Sequence, residues 1–309
     1  MKTLDELFKL YANRSFIFIR PGGNWGDMLI YMGAEYLAKK HQIKYTTYLH
    51  AELDAFKSNK EDIVYIHGAG GFNEFSSKAS YNSLQKGLEA HKGIVIQGPC
   101  TVDQSAGSLA PLKQMFKQIQ CEHFIFFARE QQTFKLMKEI LPKSADLYID
   151  HDTALQLTRD ELIKVAQTSQ QKYTLISMRQ DNEANPAQAN LNEQGVVLDP
   201  AYFANDFAHW IKIHVMAKKI ITNRTHSSIA GAILQVPTVV FSGIYHKNQS
   251  IWAYSLQQKK VQWLDIKSLP KQTIKINKWE SFYLLLPTFL QKSWKIQRLI
   301  KRLQGVPFS

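Results

Sequence analysis

A chain of 309 residues that is 45% hydrophobic has enough apolar side chains for two packed domains and is too hydrophobic to stay disordered. Its formal charge of +12 calls for an anionic partner, but residues 267–309 hold nine Lys and Arg against Glu280 alone and so carry eight of those twelve charges. The remainder is nearly balanced and shows no zinc-finger, RRM or homeodomain pattern, which excludes nucleic acid; Cys100 and Cys121 stand alone, which excludes a disulfide framework and a cysteine metal site.

No apolar run is long enough to span a bilayer, and the opening MKTLDELFKLYANRS carries acidic residues without a long apolar core, so a cytoplasmic location is expected. After a short amphipathic helix, residues 15–21 read as a buried strand. It runs into Gly22-Gly23-Asn24-Trp25-Gly26-Asp27 and a helix with Leu29, Met32, Gly33 and Tyr36 at helical spacing. A strand, a glycine-rich turn and a helix start is where doubly wound folds place ligands. Asn24 and Asp27 supply an amide and a carboxylate there, and Asp27 serves equally to favour the helix N-terminus through the dipole.

Strands are next expected at 45–49 and 62–68, the second leading into a glycine loop with Gly70, Gly71 and Asn73. That loop lacks the dinucleotide spacing and the P-loop lysine, but it can turn backbone N–H groups toward a ligand. The alternation continues with a strand at 93–99, a helix at 111–120, a strand at 123–130, a helix at 131–140 and a strand at 146–152. Continuous apolar strands alternating with helices imply parallel sheets covered on both faces. Asp150-His151-Asp152 ends the last of these strands; neighbouring side chains on extended backbone point apart, which disfavours a metal, and no metal is expected.

The polar residues 157–172 read as a crossing between domains, after which a second alternation begins. It comprises strands at 173–180 and 195–199, a helix at 202–216, a strand at 220–222, a helix at 224–235, a strand through Phe241 and a last strand at 261–266. Arg179 follows the first of these strands. Thr222 or Asn223 is expected to cap the helix carrying Arg224 and His226 in its first turn, a candidate anion site with a titratable imidazole beside it. His226 also lies on the stripe of Ile229, Ala230 and Ile233, as a histidine at the edge of a core would. Tyr245 and Lys247 open another turn, where they can meet a ligand or solvent.

Taken in order, these motifs resemble the polysaccharide pyruvyl transferase family. The resemblance rests on Asn24-Trp25-Gly26-Asp27, His67-Gly68-Ala69-Gly70-Gly71, Gln97-Gly98-Pro99, Phe127-Ala128-Arg129-Glu130, Asp150-His151-Asp152, Arg179-Gln180-Asp181-Asn182-Glu183 and Thr222-Asn223-Arg224-Thr225-His226. It implies a GT-B-like α/β fold, with two Rossmann-like parallel-sheet domains at 1–156 (acceptor side) and 157–266 (donor side) facing a cleft, then a basic amphipathic segment at 267–309. It also implies transfer of a pyruvyl group from phosphoenolpyruvate to a sugar hydroxyl, with no cofactor. Arg179, Arg224, Ser227 and Lys247 then fall on the donor side, His226 is the acid, Asp27 or Asp152 the base, and Asn24, Gly70, Gly71, Asn73 and Tyr245 line the cleft. Many members read Asp-Arg-Leu-His-Gly where this chain has Asn223-Arg224-Thr225-His226-Ser227, and Asp-Asn-Ser-Tyr-Gly-Lys where it has Ser242-Gly243-Ile244-Tyr245-His246-Lys247. A GT-B glycosyltransferase using a nucleotide sugar, and a non-catalytic polysaccharide assembly protein, are the two rival readings.

Within residues 289–303 a helical projection gathers Phe289, Ile296, Leu299, Ile300 and Leu303 in an arc of about 100°, opposite Lys295, Arg298, Lys301 and Arg302. That pattern suits either a helix on the anionic inner face of a membrane, where a lipid-linked saccharide would be the acceptor, or a helix packed back on the protein.

Overall fold

The computed structural model describes residues 2–181, 183, 194–264 and 275–276. They form two compact units: Met1–Leu157 with Tyr245–Ser255, and Thr158–Ile244 with Leu256–Ser309.

The first unit contains α1 (Leu4–Leu10), β1 (Phe16–Arg20), α2 (Trp25–Lys40), β2 (Tyr45–Leu49), β3 (Ile63–Ile66), α3 (Ala79–Ala90), β4 (Ile94–Cys100), α4 (Ala106–Met115), β5 (His123–Ala128), α5 (Gln131–Ile140) and β6 (Asp146–Ile149). All six strands are parallel, in the order β2-β1-β3-β4-β5-β6. The inner strands β1, β3, β4 and β5 are largely apolar because both faces are covered, and alternation divides each between two cores, while the edge strand β2 is exposed or half-buried. Ile17, Ile19, Val64, Ile66, Phe124 and Phe126 pack with α3, α4 and α5. Phe16, Phe18, Ile63, Tyr65, Ile125 and Phe127 pack with α1 and α2. Each such fully buried side chain contributes roughly 1.5–3 kcal/mol. Helix α2 reaches the turn at Thr153–Gln156 so closely that a Cβ on Gly33 would lie 2.1 Å from the Thr153 carbonyl oxygen, and only glycine fits.

The second unit contains α6 (Arg159–Ala166), β7 (Tyr173–Ser177), β8 (Gln194–Leu198), α7 (Pro200–Phe203), α8 (Phe207–Val215), β9 (Ala217–Thr222), α9 (Thr225–Leu234), β10 (Thr238–Phe241), β11 (Val261–Leu264) and β12 (Lys275–Ile276). Its sheet is also parallel, ordered β11-β10-β9-β7-β8-β12.

Several expectations change. The presumed crossing at 157–172 holds a capped helix, α6: Thr158 and Glu161 close a reciprocal capping box. Helix α4 begins at its Ser105 cap and carries Pro111 inside, five residues earlier than the proline alone suggests. The helix expected at 202–216 is two helices, because Asp199 caps α7 and Asp206 caps α8, each restarting the backbone bonding. Residues 245–255, assigned to the second domain from their position in the chain, belong to the first unit, where α10 (Lys247–Ile251) lies. The 267–309 segment contributes β12 to the second sheet; its amphipathic helix at 289–303 lies outside the described residues.

Candidate functional site

In the second unit the chain leaves β7 for β8 on one side of the sheet and returns to β9 on the other, so β7 and β9 mark a topological switch point. Ligands of open α/β sheets bind beyond the C-terminal ends of such strands. Arg179 follows β7 and Arg224 follows β9. Two side chains tie these exits together. Asn223 Oδ1 accepts the Arg179 N–H at 2.8 Å. Thr222 Oγ1 donates to the Ser177 carbonyl at 2.7 Å and accepts the Arg224 N–H at 2.9 Å. Neither caps α9 as expected: Arg224 itself stands at the N-cap, and no side chain caps the helix. The first turn of α9 carries the positive end of the helix dipole, which favours an anion. His226 is half-buried in that turn.

Both guanidinium groups meet carboxylates. Arg224 donates Nε to Asp199 Oδ1 at 2.9 Å and Nη2 to Asp199 Oδ2 at 2.5 Å, and its Nη2 lies 3.1 Å from Asp181 Oδ2. Arg179 donates Nε and Nη2 to the two Asp181 oxygens at 2.8 Å each and Nη1 to Glu183 at 2.6 Å. Asp181 thus bridges the arginines. Burial opposes its ionisation, but the Arg179 hydrogen bonds and the charges of Arg179 and Arg224 outweigh that and bring its carboxyl down to about 2. Asp199 is buried and also receives the Gln180 N–H at 3.0 Å and the Ala201 N–H at 3.2 Å, which fixes the plane of the Arg224 fork. Sequence reasoning missed Asp199; the signal was the Asp-Pro pair that starts α7.

Ser227, expected on the donor side, is turned inward. Its Oγ lies 3.0 Å from Ser177 Oγ and 2.9 Å from His214 Nε2, and it is buried. His214 Nδ1 meets the Trp210 carbonyl at 2.8 Å, and burial depresses that imidazole to about 4, so it stays neutral.

In the first unit the switch point falls between β1 and β3, and both glycine loops leave from there. Gly22 and Gly23 hold φ of +91° and +121°, conformations only glycine adopts readily. Asn24 caps α2 through Oδ1 to the Gly26 N–H at 2.8 Å, and Asp27 returns the bond to the Asn24 N–H at 2.8 Å, so both have a capping role. Beside Gly70 are two cationic side chains: a Cβ there would lie 3.1 Å from Arg129 Nη2 and 3.4 Å from Lys247 Nζ. Gly71 packs against Ser80. Asn73 donates to the Gly70 carbonyl at 2.5 Å and lies 3.5 Å from the Tyr245 hydroxyl, while Lys247 Nζ sits 4.9 Å over the Tyr245 ring. Lys247 and Tyr245 are therefore first-unit residues; their expected place on the donor domain is corrected by the return of 245–255.

Arg129, buried, donates to Thr101 Oγ1 at 2.8 Å and to Asp152 Oδ2 at 2.6 Å. Asp152 also accepts the Ala154 N–H at 3.0 Å, so its carboxylate is a fixed counter-ion of Arg129. Its neighbours turn elsewhere, Asp150 to the Leu4 N–H at 2.7 Å and His151 to Ser255 at 2.8 Å. Arg129 stood in the Phe127-Ala128-Arg129-Glu130 motif without an assigned role, and the structure places it beside Gly70. Glu130 is buried: burial raises its carboxyl, but His246, 3.6 Å away, and the Thr133 donors bring it below its ordinary value.

A solved structure of a functionally uncharacterised protein from Klebsiella pneumoniae subsp. pneumoniae NTUH-K2044 is similar over 84% of this chain and 96% of its own, with 22% identity and a TM-score of 0.61, which shows a shared fold. A structure of the wall teichoic acid polymerase TagF aligns over 98% of this chain and 89% of its own, at 11% identity and a TM-score of 0.36, too weak a likeness to argue from. No curated protein matches the chain. The family model described as polysaccharide pyruvyl transferase matches residues 24–243, which include β3 with its glycine loop and β7 and β9 of the second sheet, and with this match over more than two thirds of its length the chain belongs to the polysaccharide pyruvyl transferase family.

Proposed function

We propose that the protein transfers a pyruvyl group from phosphoenolpyruvate to hydroxyls of a saccharide in surface or exopolysaccharide biosynthesis. The carrying observation is the pair Arg179 and Arg224 at the switch point of the second sheet, beside the uncapped start of α9 that holds His226. Two forked cations and a helix N-terminus suit a ligand with a phosphate and a carboxylate. In this reading the donor's anionic groups take the place of the Asp181 carboxylate between the two guanidinium groups. His226, protonated, gives its proton to the methylene carbon of the enol; C2 then accepts a sugar hydroxyl oxygen. The hydroxyl proton passes to a base, for which Asp27 is preferred over Asp152, since Asp152 is committed to Arg129. A second hydroxyl closes the ketal as phosphate leaves, its proton going to the departing phosphate. Lys247 and Arg129 add positive charge in the first unit. The GT-B-type pairing of the domains belongs to this proposal, and the chemistry draws on no cofactor.

The test is phosphate release from phosphoenolpyruvate in the presence of a saccharide acceptor, followed by phosphorus NMR. His226→Ala is expected to lower turnover by about 10²–10⁴ at saturating donor. Near-normal turnover would remove His226 from the chemistry. A thermal shift with a nucleotide sugar but none with phosphoenolpyruvate would replace the reading by a glycosyltransferase, and a response to neither by a non-catalytic assembly role. No helix among the described residues is long and apolar enough to cross a membrane. We propose that the basic residues 267–309 hold the protein on an anionic membrane surface, where the acceptor is lipid-linked; flotation with anionic vesicles that survives truncation at Lys267 would refute this.

A further inference from the structure

Beneath the first turn of α9 runs a chain of buried polar side chains whose proton directions are fixed by its two ends. At one end His214 Nδ1 lies 2.8 Å from the Trp210 carbonyl oxygen, which can only accept, so Nδ1 carries the proton. Burial keeps the imidazole neutral, which leaves Nε2 as an acceptor for the Ser227 hydroxyl at 2.9 Å. Ser227 has then given its one proton and accepts that of Ser177 at 3.0 Å. At the other end the Arg224 N–H donates to Thr222 Oγ1 at 2.9 Å, and Thr222 gives its proton to the Ser177 carbonyl at 2.7 Å. All four side chains are buried, so a broken link strands a polar group away from water.

Both ends of this chain close on one turn of helix. Arg224 is fastened to Ser177 through Thr222, Ser227 is fastened to Ser177 and to His214 on α8, and His226 lies between the two fastened positions. The two functional side chains of the turn respond differently to that anchorage. The Arg224 guanidinium is also gripped at its far end by Asp199 and Asp181, so it keeps its place when the backbone beneath it shifts. The His226 ring hangs from the backbone by a single methylene, next to Ser227, and goes where the turn goes. We propose that His214, acting through Ser227, is a positioning residue that sets the first turn of α9 and with it the direction of the His226 imidazole. This rests on the pyruvyl transfer reading in giving His226 a proton to deliver, and it adds the residues that aim it.

The full chain with nitrogen-15 in its histidines supplies the first readout. Long-range nitrogen–proton correlation should show His214 as the Nδ1–H tautomer, and the Nε2–H tautomer overturns the chain of bonds. Ser227→Ala and His214→Leu should each move the ring resonances of His226, identified by their loss in His226→Ala, and speed amide exchange in the first turn of α9 by about tenfold or more. His214→Gln, whose amide oxygen reaches toward the place of Nε2, should restore both. Ser227→Ala removes a single buried oxygen and decides the matter if His214→Leu does not fold. Turnover of phosphoenolpyruvate should fall by about tenfold to a hundredfold in Ser227→Ala, as misplacement of a reacting group does, while phosphoenolpyruvate affinity by calorimetry changes by less than about twofold. The double variant should be no slower than the slower single one, because both cut the same link. Unmoved His226 resonances or unaltered turnover in Ser227→Ala, an affinity loss as large as the turnover loss, or losses that add in the double variant overturn the positioning role. Absence of phosphoenolpyruvate binding and turnover in the wild type overturns the pyruvyl transfer reading instead, and the His226 resonances still decide the positioning.

Discussion

Asp181 is the group that a bound donor has to displace, and the cost of displacing it can be worked from the structure. Its carboxyl titrates at about 2 against an ordinary 3.8. At about 1.4 kcal/mol for each unit, the surrounding charges and hydrogen bonds favour the carboxylate by at most roughly 2.5 kcal/mol net of burial, an upper bound because water screens a partly exposed carboxylate. Asp181→Asn keeps the shape and removes the charge, so a phosphate or carboxylate no longer competes with it for Arg179 and Arg224. Phosphoenolpyruvate should then bind between about tenfold and seventyfold more tightly, the upper figure being the unscreened energy converted to a ratio of dissociation constants. Isothermal titration of the wild type and Asp181→Asn, with Arg224→Ala as the non-binding control, reads the difference directly. A dissociation constant that is unchanged, or larger in Asp181→Asn, would mean that the donor does not take the bridging position.

Asp199→Ala should cost about 2–4 kcal/mol in urea unfolding of the second unit, because it strands the buried Arg224 fork beside Asp181 alone; a loss under about 0.5 kcal/mol would show the pair to be dispensable. Asp181 and Glu130 have folded values below their unfolded ones, so their stabilisation is complete above their ordinary values and is lost as pH falls: for Asp181 between about 4 and 2. Asp181→Asn should accordingly flatten the acid limb of the stability curve in that window, and an unaltered limb would contradict the assignment. Gly33→Ala, with its Cβ 2.1 Å from a backbone carbonyl that cannot swing away, should destabilise the first unit by about 1–3 kcal/mol, measured by thermal unfolding; a neutral result would mean that α2 is free to shift.

The alternation of apolar strands and amphipathic helices was legible in the sequence because a parallel sheet buries both faces of its inner strands. Residues 16–20, 63–66 and 123–128 therefore announced themselves by local pattern alone, as the amphipathic spacing of 131–140 did for a helix. So did the placing of Arg179, Arg224 and the glycine loops at strand ends, since a polar residue ending an apolar run has to lie at the sheet's edge. Helix starts were less legible at α4, α7 and α8, where caps at Ser105, Asp199 and Asp206 compete with hydrophobic spacing. What no local signal contained was partnership across sequence distance. The hydrogen bond joining Asn223 to Arg179 spans 44 residues and that joining Arg224 to Asp199 spans 25, and both exist only because the strand order doubles back at β7 and β9. The same holds for the return of 245–255 to the first unit, which brings Lys247 beside Gly70. Periodicity reports which face of an element is buried, while the identity of what buries it is set by strand order and packing, and that is why the residue types at the site were readable in the chain and their pairing was decided by the tertiary structure.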